Sequence, residues 1–150
     1  MQKPILILTL FSTLVLFQIT AIAQCDSVAA ACAKRNMDPS FISDGQQYRA
    51  LLVNSDETAE FHTTFYGGSI YRIVACSGMT DGNLLFTILD SQRNVIFSSG
   101  SYQNAPYWDF KIKNTLDCII DAQLNPTTNS GSGCAVILIG FKQQDTQNIQ

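Results

Sequence analysis

Tyr107-Trp108-Asp109-Phe110-Lys111-Ile112-Lys113 is the stretch that decides the fold. Trp108, Phe110 and Ile112 alternate with Asp109, Lys111 and Lys113, so a strand here puts three large apolar groups on one face and three charges on the other. A helix of the same residues would mix the two sets. Working outward, the same period recurs. Phe61, Thr63 and Phe65 alternate with His62, Thr64 and Tyr66, and Leu116, Cys118 and Ile120 alternate with Asp117, Ile119 and Asp121. Residues 84–89 and 135–139 are apolar on both faces, which predicts central strands, or one covered by the N-terminal helix.

Strands are expected at 48–53, 60–66, 69–76, 84–90, 94–98, 107–113, 116–122 and 134–141. Turn formers separate most of them: Asn54-Ser55-Asp56, Gly67-Gly68, Asp90-Ser91-Gln92 and the run 125–133. No segment between them is long enough for a crossover helix. The expected fold is therefore all-β, an antiparallel jelly-roll-like sandwich of about eight strands with its core at about 48–142. Ahead of it, Asp26-Ser27 and the alanine-rich run that follows predict a short helix, with Asp26 or Ser27 as cap and Lys34 and Arg35 near its end. Pro39 stops it. The polar tail, 143–150, is expected outside the packed elements.

The N-terminus reads as an export signal. Lys3 precedes an almost wholly apolar run at 5–17, and Ala21-Ile22-Ala23 offers a small-x-small cleavage site, so residues 1–23 are expected to be removed and 24–150 to form one domain. The apolar run is shorter than the roughly 20 residues that span a bilayer. Cys25 raises lipoprotein anchoring as a lesser alternative, because Gln24 stands where a small residue normally precedes the lipidated cysteine. The expected location is secreted or periplasmic, with no integral membrane segment after processing.

Composition narrows the function. The 150 residues carry 9 basic and 12 acidic side chains and a single histidine, with a net charge of -3. Such a balance does not neutralise a polyphosphate, so nucleic acid is not an expected partner. His62 must serve any Ser-His-Asp or Cys-His catalysis, with Asp56, Glu57 or Glu60 to orient it, yet no Gly-x-Ser-x-Gly elbow is present. The expectation is an ordinary strand residue, with a small hydrolase using His62 as an alternative. Asp117 and Asp121 share a strand face at roughly 13 Å, too far apart for either glycosidase geometry. Asp81-Gly82-Asn83 could offer loop oxygens to calcium but lacks EF-hand spacing, and no Cys-x-x-Cys exists, so neither a metal nor a cofactor is expected.

Five cysteines in an oxidising compartment predict two disulfides. Cys32, Cys76, Cys118 and Cys134 lie in expected ordered elements, and the favoured pairs are Cys118 with Cys134 and Cys32 with Cys76, leaving Cys25 over. Spacing alone does not choose among the connectivities. Tyr102, Asn104 and Tyr107 form the most ligand-like cluster, since aromatic faces stack on sugars while amides take hydroxyls. Trp108 is assigned to the core by its phase.

The run 67–100 (GGSIYRIVACSGMTDGNLLFTILDSQRNVIFSSG), then YWDF at 107–110, LDCIIDAQL at 116–124 and CAVILIGFK at 134–142, resembles the bacterial pre-peptidase C-terminal domain. The likeness spans about Phe61 to Lys142 and lies in strand and turn rhythm rather than chemistry. It implies a small jelly-roll-like sandwich of the kind appended to exported enzymes, some serving in substrate or matrix binding. The function expected from all of this is a non-catalytic secreted or envelope-associated module acting on a surface ligand, glycan or protein. A dedicated calcium- or carbohydrate-binding module is the alternative.

Overall fold

The computed structural model of the chain describes residues 20–46, 48–78, 80–128 and 131–144. Most of the expected leader, and the tail after Gln144, lie outside the described residues. Among the described residues, one helix, α1 (Thr20–Asn36), precedes nine strands: β1 (Ile42–Ser43), β2 (Tyr48–Leu52), β3 (Thr58–Phe65), β4 (Ser69–Cys76), β5 (Leu84–Asp90), β6 (Val95–Ser98), β7 (Tyr107–Ile112), β8 (Leu116–Leu124) and β9 (Gly133–Gln143). A single 3-10 turn, Ser99–Tyr102, links β6 towards β7.

The strands form two antiparallel sheets. In one, β9 is central, with β4 and then β7 on one side; β1 and β2 pair in tandem along its other side. The second sheet has the order β3-β8-β5-β6. The expected all-β sandwich with an N-terminal helix is what the chain forms. The extra strand is β1, two residues held by Phe141 and Gly140, too short to leave an alternation in the sequence.

Alternation sorts the side chains into layers. Between the sheets lie Phe65, Ile73, Phe86, Ile88, Cys118, Ile120, Ala135 and Ile137, all buried, with Phe61, Trp108, Phe110 and Ile112 half-buried against them. The inward phase read for β3, β7 and β8 is thus the observed one. Both faces of β9 are apolar because its other face, with Cys134, Val136 and Leu138, lies beneath α1. Burying each such side chain contributes about 1.5–3 kcal/mol, so the helix converts an otherwise exposed sheet face into a second small core.

α1 meets the sheet through Cys25, Val28, Ala29 and Cys32, spaced along one helical face. Two disulfides fasten it there. Cys25 joins Cys134 of β9, with a Cα separation of 5.5 Å, and Cys32 joins Cys76 of β4, at 6.2 Å. The expected Cys32–Cys76 bond is present. The expected Cys118–Cys134 bond is not, and Cys118 is a free, buried thiol. The reason is geometric: β8 and β9 belong to facing sheets, and Cys118 points between the sheets whereas Cys134 points away from them, under α1. Cys25 is not left over, because α1 runs through it. The helix also passes through Asp26 and Ser27 instead of starting there, so neither is its N-cap. Asp26 pairs with Arg49 of β2.

Candidate functional site

Among the described residues, polar and aromatic side chains gather at two places in particular. One is a cleft of about 360 Å³ where β2 and β3 meet, lined by Asp44, Gln46, Tyr48, His62, Thr63, Thr64 and Tyr66. The Tyr48 hydroxyl lies 3.2 Å from both the Asp44 carboxylate, to which it donates, and the Thr63 hydroxyl. Burial pushes the Asp44 carboxyl above the usual carboxylate range against its hydrogen bonds from Gln46 and Tyr48. Burial likewise raises the Tyr48 phenol.

His62 takes no part in that network. Strand alternation turns it with Thr64 to the outer face, where its Nε2 meets Glu60 Oε1 at 2.8 Å. Glu60 also accepts from Arg93 Nη1 at 2.9 Å, and these two hydrogen bonds, Arg93 first, hold its carboxyl below the ordinary range. Arg93 reaches this far because the Asp90 side chain accepts the Gln92 and Asn94 amides, and Arg93 itself adopts a left-handed φ of 65° in the turn between β5 and β6. Its guanidinium lies 3.7 Å from Asp121, whose carboxyl burial still pushes up. The Thr64 hydroxyl donates to Asp117 at 2.7 Å. The imidazole thus meets a carboxylate, and the Thr64 hydroxyl on the same face is committed to Asp117, so these two side chains do not form a nucleophile-base pair.

The second place is the edge of the sandwich where β6, the 3-10 turn and β7 come together. Phe97 of β6 stacks in parallel on Tyr102 with centroids 5.3 Å apart, and lies 5.0 Å from Trp108 and 5.2 Å from Phe110. Tyr102 in turn lies 4.6 Å from Trp108. On the opposite face of β7, the Arg72 guanidinium sits 4.4 Å from the Tyr107 centroid and 4.8 Å from that of Phe41. It also donates to both carboxylate oxygens of Asp109, at 2.7 and 2.8 Å, and that hydrogen bonding raises its pKa. A groove of about 500 Å³ follows the strand, lined by Ala105, Pro106, Tyr107, Trp108 and Asp109.

The three residues that the sequence singles out are therefore close but not on one surface. Tyr102 and Tyr107 are 50% and 40% exposed and stand on opposite sides of β7. Asn104 follows Gln103 in a turn where both take left-handed φ values, and its backbone lies against Gly82. Trp108 belongs between them as the half-buried link, and Phe97 as the floor. The phase of Trp108 marks it as an inward residue, but nothing in that phase says that it lies at a sheet margin. Of the other candidates, Asp81 is engaged by Arg35 and Asn36, at 3.2 and 3.0 Å, which ties its loop to the end of α1. Among the described residues, no cluster of three metal-ligating side chains occurs.

Fold and edge together define a class, a two-sheet β-sandwich with a helix stapled to one outer face and an open aromatic margin. No protein-family model matches the chain, and no curated protein matches it. Among solved structures the chain is similar to Aeromonas hydrophila PliG, a periplasmic lysozyme inhibitor of g-type lysozyme. That likeness has 10% sequence identity and a TM-score of 0.48, and covers 65% of this chain and 85% of that one. A likeness of this degree transfers nothing about function.

Proposed function

We propose that the protein is an exported, non-catalytic sandwich module that binds a glycan or protein partner through its β7 margin. The observation that carries this is the open groove along β7 lined by Tyr107 and Trp108, with the exposed Tyr102 packed against Trp108 from the other side of the strand. Large aromatic groups left partly in water at one place mark a surface that gains by being covered. The leader-like N-terminus supports export, as do two disulfides, which persist in oxidising compartments. The resemblance to pre-peptidase C-terminal domains points the same way. The pairing of His62 with Glu60, and of Asp81 with Arg35 and Asn36, favours binding over hydrolysis or calcium as the role.

Trp108 is the protein's one tryptophan, so its emission reports on this margin directly. Titrating the oxidised protein with oligosaccharides and with extended peptides is expected to shift that emission, and Tyr102→Ala to weaken the response about tenfold or more. Emission that no member of either class alters would contradict the reading.

A further inference from the structure

We propose that the occupant of this margin is a second copy of the chain, joined by antiparallel pairing of β7 with β7 about a two-fold axis at Phe110. This rests on the reading of the β7 margin as the binding surface and names its partner. In the ladder between β4 and β7, Ala75 N donates to Pro106 O at 2.8 Å, and Ile73 stands opposite Trp108 and Tyr71 opposite Phe110. Bonded pairs recur every second residue in an antiparallel ladder, so Trp108, Phe110 and Ile112 turn their backbone groups to β4. The N–H and C=O groups of Tyr107, Asp109 and Lys111 therefore point out of the sheet, where β7 is the terminal strand among the described residues.

The side chains select the register. With Phe110 on the axis, Asp109 of each copy stands opposite Lys111 of the other, twice over, and Tyr107 stands opposite Lys113. On the inner face Trp108 meets Ile112, and Phe110 meets Phe110 across the close, non-hydrogen-bonded position. Of the two neighbouring registers with the same bonding parity, the one centred on Asp109 sets two aspartates directly against each other and the one centred on Lys111 sets two lysines, and both are disfavoured. Lysine on an exposed edge ordinarily repels an incoming strand. Here the same strand carries the opposite charge one step away on the same face, so the edge repels a generic strand less well than it attracts itself. Val95 and Ile96 of β6, together with Tyr102 and Tyr107, are exposed at this side of the sandwich and would lose water in the paired form. A two-fold contact of this kind is isologous and closes on itself at the β7 edge.

Sedimentation of the oxidised full chain over a range of concentrations tests it. The wild type is expected to show a monomer-dimer equilibrium. Lys111→Asp and Asp109→Lys each oppose like charges across the axis and are each expected to weaken association by about tenfold or more. Their equimolar mixture restores both charge pairs and is expected to recover a heterodimer. Should Asp109→Lys, which also removes the Arg72 partner, fail to fold, amide exchange reports the same pairing: concentration-dependent protection of Tyr107, Asp109 and Lys111 in wild type, lost in Lys111→Asp. A wild type that stays monomeric, or variants that associate as tightly as wild type, would overturn the second copy as occupant. A monomer whose Trp108 emission still responds to oligosaccharide or peptide would leave the margin standing as a binding surface. A monomer whose emission responds to nothing would remove both.

Discussion

Cys118 is a thiol held 3% exposed between the sheets, and burial pushes its pKa up to about 11, with Asp117 and Asp90 adding to the effect. A thiolate is the reactive form, so the native protein is expected to leave Cys118 unlabelled by a thiol reagent that modifies it once unfolded. The same burial separates two small substitutions. Cys118→Ala removes one atom from a packed site and is expected to cost about 1 kcal/mol. Cys118→Ser puts a hydroxyl among Phe, Ile and Ala side chains and is expected to cost more, about 1–3 kcal/mol, in urea denaturation. Glu60 behaves differently. Its pKa is depressed in the folded protein, so its contribution is present above the unfolded pKa and is lost as pH falls through the folded one. Acid unfolding of Glu60→Gln is accordingly expected to lack that part of the decline below the ordinary carboxylate range, while Asp44 and Asp121, whose pKa values are raised, act in the opposite sense.

At the scale of the element, the disulfides decide where the helix goes. Cys25–Cys134 closes a sequence separation of 109 and Cys32–Cys76 one of 44. Loop-closure entropy assigns roughly 5 and roughly 4 kcal/mol to cross-links of those lengths taken singly, with native strain and nesting reducing the sum. Replacing Cys32 and Cys76 together by alanine is expected to lower the melting temperature and to release amide protection in the C-terminal half of α1 before the sheets open. Unchanged exchange in α1 would show that apolar contact with Val74 and Leu138 suffices to hold it.

The same elements show what the sequence could and could not reveal. β4 and β5 have the bounds that their composition predicts, and β7 has its faces, because Asp109 and Lys111 alternate there with Trp108, Phe110 and Ile112. β9 is apolar on both faces, so alternation could not say whether Cys134 or Ala135 looks inward; the helix that buries the outer face makes both choices acceptable. The run 125–133 has turn chemistry, but a turn says that the chain reverses, not that it stays in one sheet. β8 and β9 reverse across the sandwich, and this is why a Cys118–Cys134 bond does not form. Tyr102, Asn104 and Tyr107 are near one another in sequence, whereas β7 passes between the two tyrosines and puts them on different faces.

For the whole molecule, one pattern ties the observations together. The helix closes one outer face, disulfides hold it, and the large aromatic groups are left to the β6–β7 margin. Among the described residues no helix is long and apolar enough to cross a membrane. The bond of Cys25 to Cys134 also engages the sulfur that a lipid anchor would need, which sets lipidation against the observed fold. Non-reducing peptide mapping of the exported protein, with its intact mass, tests the stapled sandwich most directly. The predicted result is a chain beginning at Gln24, with Cys25 bonded to Cys134, Cys32 bonded to Cys76, and Cys118 alone available for alkylation after unfolding. A Cys118–Cys134 bond, a lipid-sized addition at Cys25, or five free thiols would contradict it.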